Sequence, residues 1–504
     1  MRPSGTAHRS RSWMHPDNMS TPTIHTPLHI DPHWLKNRLV ALPVFTGYAS
    51  PDGSVSALLL EHYTTLAATG VAMVVVANVA VSPDGVTSQY NLRIDDDRYM
   101  PGLKALATAI RRQGALASIQ LNHAGRFAKT KHPLLASPVD ASNLTYHMAS
   151  LKGFMHAFPF EKRFGLTRFF LEQIAGWRRA MTADEMHAVA TRFCQAAQRA
   201  HQAGFDMIEV HGANGYLLCE FLSPATNKRL SGFGGSFENR TRFPLSVVGK
   251  IRRHVPQSVP LGYRLPLKEW VPDGIDLEEA IAFAQLLERA GVSYLSAAAG
   301  NFNSIFFPSV VQKMKRLAYL REDMVQLTGH VGIPTIISGR VATPALAADL
   351  LAQKAAHLVG LGRPLRVDPD WVKKAGQPAS AVIPCINCNW CLKRIILEQG
   401  FICRCWHRTR QLKVHLGRML LDRNCDGLWV IADSDDLALF KSSVPHLLPL
   451  GEPSGWSHAV TVLLAGSWTG EKAPYGADCL TWVQGLSAAA GGSLDRVTAV
   501  ELSG

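Results

Sequence analysis

The chain has 504 residues, 47% of them hydrophobic, and a formal net charge of +13. That length exceeds one ordinary core and leaves room for roughly two or three domains, although an α/β barrel alone takes up roughly 250 residues. No apolar run is long enough and free enough of charge to predict a membrane span, and the polar, basic start MRPSGTAHRSRSWMHPDNMSTPTIH lacks the apolar core of a secretory leader, so a cytoplasmic location is expected.

From residue 39 onward, short runs rich in Val, Ile and Leu recur, each followed by a segment with helical spacing. That pattern predicts parallel strands covered by helices. In chain order the runs are LVALPV (39–44), VAMVVVANV (71–79), LASIQLN (116–122), MIEVHG (207–212), PLGYRL (260–265), YLSAAAG (294–300), PTIISG (334–339) and HLVGLG (357–362). Among the intervening helices, ADEMHAVATRFCQAAQRAHQAG opens with Thr182 as an expected N-cap and Glu185 three residues on. Eight βα units predict a closed (β/α)8 TIM barrel, whereas a doubly wound open sheet would carry two strands beyond its usual order.

In such a barrel, chemistry belongs at the C-terminal ends of the strands. Those ends are polar here: Gln120 followed by LNHAGR on the third, His211 on the fourth, Arg264 on the fifth, Gly339-Arg340 after the seventh and Gly362-Arg363 after the eighth. A lone histidine at a strand end is more often structural than catalytic. Polar ends on five strands together are harder to explain as packing. The two Gly-Arg pairs stand where barrels commonly bind phosphate, with glycine admitting close backbone approach and guanidinium holding the anion. A phosphorylated ligand or cofactor is expected.

After the barrel, five of the nine cysteines fall within CINCNWCLKRIILEQGFICRCW (385–406). A disulfide framework does not suit a long chain with sparse cysteine elsewhere. Zinc sites usually pair their ligands across a loop, whereas Cys385, Cys388 and Cys391 form one tight run with Cys403 or Cys405 further on. This spacing favours an iron–sulfur cluster, with zinc and reduced structural cysteines as the alternatives. Lys393, Arg394, Arg404, Arg408, Arg410, Lys413, Arg418 and Arg423 surround the run against only Glu398 and Asp422. A basic face offsets an anionic cluster, and without a nucleic-acid-binding signature no nucleic-acid partner is expected.

The stretch HGANGYLLCEFLSPATNKRLSGFGGSFENRTRFPLSVV (211–248) closely resembles the signature region of the old yellow enzyme family of FMN oxidoreductases. LKNRLVALPV, PGLKALATAIRRQGA, IQLNHAGR, MTADEM, ISGRV and GLGRPLRVDPDW agree with it in order, so the resemblance covers about residues 25 to 375. The cysteine run is similar to that of the subgroup containing 2,4-dienoyl-CoA reductase and trimethylamine dehydrogenase, which carry a 4Fe-4S cluster at this place. The resemblance implies that Pro43, Val44 and Phe45 line the flavin, with Ala77 beside the ring and Gln120 on its pyrimidine edge. It also implies Arg264 near flavin N1, and Gly339, Arg340, Gly362 and Arg363 on the phosphate. His211 and Asn214 would present two donors to a substrate oxygen, and Tyr216 would supply a proton. Relatives place the fourth cluster cysteine about eleven or twelve residues after the third. Since eleven residues separate Cys391 from Cys403 and thirteen separate it from Cys405, the implied ligands are Cys385, Cys388, Cys391 and Cys403.

On this reading residues 1–25 are a disordered N-terminal extension, 26–380 the FMN-binding barrel, 381–410 the iron–sulfur segment and 411–504 a small α/β appendage of unknown role. The expected activity is reduction of an activated C=C bond, in an enone or enoyl thioester, with electrons from NAD(P)H or from a partner protein through the cluster. Amine dehydrogenase or demethylase-type oxidation is the enzymatic alternative, and a zinc-stapled, non-catalytic binding protein the alternative of another class. A small-molecule substrate is expected, an electron-transfer partner and a homo-oligomer are compatible with the reading, and a membrane partner is not expected. Three departures from the family stand out. Phe45 sits near where many relatives carry a polar residue, and the aromatic segment 146–177 is long enough to predict a lid or a docking surface. LLAGSWTG has the wrong glycine spacing for the nucleotide-binding domain that follows the cluster in both named relatives.

Overall fold

The runs of Val, Ile, Leu and Ala become strands that are buried on both faces, as parallel strands covered by helices must be. In the computed structural model a short antiparallel pair, β1 (Leu28–Ile30) and β2 (His33–Leu35), precedes them. The barrel strands are β3 (Leu39–Ala41), β4 (Met73–Ala80), β5 (Leu116–Asn122), β6 (Met207–His211), β7 (Leu261–Pro266), β8 (Tyr294–Ala298), β9 (Thr335–Ile337) and β10 (Leu358–Leu361). They close in the order β10-β3-β4-β5-β6-β7-β8-β9 with every neighbouring pair parallel. This is the TIM barrel read from the sequence, and each of the eight apolar runs supplies one strand.

Residues 22–130, 134–136, 180–230, 232–375 and 381–406 are described, together with scattered positions between 410 and 421 and three later strands. The chain divides into two compact units, Met1–Asn389 and Trp390–Gly504. The expected lid segment 146–177 and nearly all of the expected N-terminal extension lie outside the described residues.

Local chemistry sets the element ends. Helix Ala183–Gln202 begins in a reciprocal cap: Thr182 Oγ1 accepts the Glu185 N–H at 3.2 Å, and Glu185 Oε2 accepts the Thr182 N–H at 2.8 Å. The hairpin of β1 and β2 was not foreseen, because LHIDPHWL offers only three residues on each side of its turn. Its Leu28, Ile30 and Leu35 join one apolar cluster with Met73, Leu116, Met207, Tyr294 and Leu358, each the first residue of its barrel strand. The N-terminal end of the barrel is therefore sealed with hydrocarbon. The opposite end has half-buried positions, including Pro43, Val44, Phe45, Arg264, Gly339, Arg340, Gly362 and Arg363.

The second unit contains helix Trp390–Ile396 and a parallel sheet in the order β11 (Leu428–Ala432), β12 (Val460–Ala465), β13 (Val497–Glu501). The last of these strands, VTAVE, is too short and mixed to be read from the sequence alone.

Candidate active site at the open end of the barrel

Residues two apart on a strand share a face, so Glu209 and His211 on β6 point the same way. His211 pairs in register with Arg264 on the neighbouring β7. The Ala213 N–H donates to His211 Nδ1 at 3.3 Å, which assigns the ring proton to Nε2. Burial, followed by repulsion from the Arg264 guanidinium, pushes His211 down to about 3, so the ring is neutral at physiological pH. Asn214 Nδ2 lies 3.5 Å from His211 Nε2. Both are donors, so the contact sets two N–H groups side by side. Asn214 holds a φ of 61°, a left-handed conformation that asparagine tolerates, and this turns its amide back toward the histidine.

Tyr216 follows as the N-cap of helix Leu217–Leu222. Its ring meets His211 edge-on at 5.0 Å and Phe127 at 6.2 Å. Burial pushes the phenol up to about 12, an effect that the neighbouring Asn78 amide opposes, so Tyr216 carries its proton at neutral pH. The NHAGR loop is tied down beneath it. Gly125 has a φ of 56°, and a Cβ there would come within 2.2 Å of Glu220 Oε1, so only glycine fits. Asp84 accepts two bonds from Arg192 Nη1 at 2.9 Å and lies 3.5 Å from His123 Nε2, which gives that histidine a structural place.

Sequence reading missed two parts of this end. Phe127, Phe302 and Phe306 form an aromatic wall beside Tyr216, with ring separations of 5.2 and 6.4 Å along it. Asn78, next to the Tyr216 hydroxyl, was missed as well. A search for polar strand ends passes over aromatic residues in loops such as GNFNSIFF, and Asn78 is hidden in an otherwise apolar strand.

The other expected site residues line the same end. Gln120 Nε2 donates to Glu209 Oε1 at 2.6 Å, and Arg264 Nη1 donates to Ser296 Oγ at 2.6 Å. Pro43, Val44 and Phe45 follow β3, while Ala77 lies on β4, where its N–H donates to the Tyr63 hydroxyl at 2.6 Å. Phe45, Ala77, Tyr63 and Tyr90 line one cavity. Gly339 and Arg340 after β9 have φ values of 103° and 60°, and a Cβ on Gly339 would meet the Tyr319 ring at 3.2 Å. Gly362 follows β10 and precedes helix Arg363–Val367. Arg363 Nη1 donates to Asn387 Oδ1 at 2.7 Å and Asn389 Oδ1 at 3.0 Å, and these residues flank Cys388.

Cys385, half-buried, and Cys388, exposed, belong to the first unit; Cys391, Cys403 and Cys405 belong to the second. In the second unit, Cys391 and Cys403 are buried, and the Cys405 N–H donates to Cys403 Sγ at 3.4 Å. Among the described residues, no group of three or more His, Cys, Asp or Glu side chains is assembled as a metal site.

These polar groups gather at the open end of the sealed barrel, the end where barrels of this kind carry their chemistry. The family model described as NADH:flavin oxidoreductase / NADH oxidase matches residues 23–380. The chain belongs to this family, the old yellow enzyme family. A protein named NADH oxidase from Thermoanaerobacter brockii is 36% identical over 365 residues, covering 70% of this chain and 51% of its own length. The chain therefore spans about half of that relative. An NADPH dehydrogenase from Bacillus subtilis is 30% identical over 71% of this chain and 96% of its own length. The structure of a 2-naphthoyl-CoA reductase with 2-naphthoyl-CoA shares the fold, with a TM-score of 0.67 at 21% identity over 95% of this chain and 71% of that one. Among the described residues, no helix is long and apolar enough to cross a membrane.

The neutrality of His211 is directly measurable. Nitrogen-15 NMR of the imidazole should show the Nε2-protonated tautomer at neutral pH and no titration between about pH 5 and 8. A ring that titrates near the ordinary histidine value would refute this electrostatic account.

Proposed function

We propose that the chain is an FMN-dependent oxidoreductase that reduces an activated C=C bond conjugated to a carbonyl or thioester. The observation that carries this reading is the pair of N–H donors on His211 and Asn214, 3.5 Å apart, beside the protonated phenol of Tyr216. Two converging donors suit an oxygen that gains negative charge during the reaction, and a phenol suits proton delivery to the adjacent carbon. The family supports FMN as cofactor and NAD(P)H as donor.

The residues fit that cofactor. Gln120 would meet the pyrimidine edge and Arg264 would supply positive charge close by, while Pro43, Val44, Phe45 and Ala77 would line the ring. Gly339, Arg340, Gly362 and Arg363 would bind the phosphate, with Gly339 free of the Cβ that would crowd Tyr319. When bound, FMN accepts a hydride from a nicotinamide and delivers it to a carbon, or passes electrons singly. The chain's part is to hold the substrate oxygen on His211 and Asn214, keep the β-carbon in reach, exclude water with Phe127 and Phe302, and protonate the α-carbon from Tyr216. Hydride and proton together saturate the double bond, so atoms and charge balance.

We also propose that Cys385, Cys388, Cys391 and Cys403 hold a 4Fe-4S cluster, with Cys405 free. The support is the spacing of the thiols and the basic residues around them. Electrons would then arrive from NAD(P)H directly, or from a separate protein through the cluster. Residues 411–504 have no assigned role in this scheme.

Two experiments test these readings. Tyr216→Phe should leave reduction by NAD(P)H at its normal rate and slow the substrate half-reaction by roughly 10²–10⁴-fold in anaerobic stopped-flow. An unchanged substrate half-reaction would remove Tyr216 as the proton source. Protein purified without oxygen should contain about four iron and four sulfide per chain, lost in Cys403→Ser and retained in Cys405→Ser. The reverse outcome would move the fourth ligand, and zinc in place of iron would refute the cluster.

A further inference from the structure

We propose that Glu209 is a positioning residue for the flavin site, where its buried carboxyl orients the Gln120 amide and offsets the charge of Arg264, thereby setting the reduction potential of a bound flavin. The inference rests on the flavin reading above and goes beyond it, because Glu209 has no part in that scheme.

Glu209 is wholly inaccessible to solvent in the middle of β6. A carboxyl group there gains nothing from apolar packing and is costly to ionise, so the groups that face it decide its state. From β5, Gln120 Nε2 donates to Oε1 at 2.6 Å. From β7, the guanidinium of Arg264 acts on it as the nearby positive charge. From β8, the Tyr294 hydroxyl stands beside it and 3.3 Å from Ser118 Oγ. Oε2 accepts no well-formed hydrogen bond, and Tyr294 is the group placed to offer one. Burial pushes Glu209 up to about 7, against the pull of Arg264 and then Gln120. His211, on the same strand, and Tyr294 both stay neutral around that pH.

Two consequences follow from this arrangement. An amide has two N–H donors and one carbonyl acceptor. An ionised Glu209 can face only an N–H of Gln120, which leaves the carbonyl and the second N–H for a ligand. A protonated Glu209 can instead donate to that carbonyl, so the charge on the carboxyl and the face that Gln120 offers are linked. Ionised Glu209 also partly cancels the field of Arg264. Reduction adds electron density to the flavin's pyrimidine edge, so the ionised carboxyl should make reduction harder and the neutral acid easier.

The test uses full-length protein loaded with FMN. Midpoint potentials of wild type and Glu209→Gln would be measured from about pH 5.5 to 9. The two should coincide at the acid end, and the variant should lie above wild type at the alkaline end, with the gap opening through about pH 7. A merely structural role would give a gap of constant size, and that result, or no gap, overturns the proposal. A second measurement needs no variant. If reduction raises the proton affinity of Glu209, the reduced-minus-oxidised infrared spectrum of wild type near neutral pH should gain the carbonyl band of a buried carboxylic acid. Absence of that band also overturns the proposal. A wild-type chain that takes up no FMN overturns the flavin reading itself, which separates the two failures.

Discussion

One half-buried cation, Arg264, organises the open end of the barrel. Its guanidinium is anchored on Ser296 and acts on groups from several elements: it adds to the burial that pushes His211 down, draws Glu209 down against burial, and, after Arg363, opposes the burial that raises Tyr319. A cation in such a place is tolerable only with compensation, and a carboxyl and a hydroxyl supply it here. Burial, reinforced by the positive charge of Arg264, keeps the neighbouring histidine neutral, so that it can serve as a hydrogen-bond donor. A neutral imidazole beside a protonated phenol can stabilise a developing oxyanion without first giving up a proton.

The barrel makes this concentration of polar groups possible. Its N-terminal end is filled by Leu28, Ile30 and Leu35 against the first residues of the strands, so the polar side chains accumulate at the other end. Arg363 extends the organisation outward. By donating to Asn387 and Asn389 it fixes the backbone on both sides of Cys388 to the end of β10. Those asparagines have φ values of 55° each, so the loop bends twice around the cysteine and depends on a specific anchor. The side chain that the resemblance assigns to a phosphate thus also reaches the cysteine run.

The barrel was legible because parallel strands buried on both faces leave uninterrupted Val, Ile and Leu runs, and because Thr182 and Glu185 spell a helix start in a chemistry readable from four residues. The hairpin at Leu28–Leu35 was not, since tertiary packing rather than local pattern makes those short segments strands. In the site, residues at strand ends were legible: His211, Arg264 and Gln120 are polar where an apolar run stops. Glu209 was not, because it lies inside MIEVHG and only the closed barrel brings Gln120, Arg264 and Tyr294 around it. The aromatic wall of Phe127, Phe302 and Phe306 escaped for a related reason, as aromatic residues in loops read as packing until their positions are known. Cysteine spacing does not specify ligand geometry, which depends on contacts beyond the run.

Removal of the organising charge is the most direct test. FMN affinity and midpoint potential of full-length Arg264→Ala, compared with wild type at one pH and salt concentration, report on it without any assumption about substrate. If Arg264 supplies positive charge to the reduced flavin, the variant should bind FMN more weakly and have a lower potential, and its His211 should become easier to protonate. Full flavin occupancy with an unchanged potential would show that the guanidinium acts elsewhere and would contradict the account.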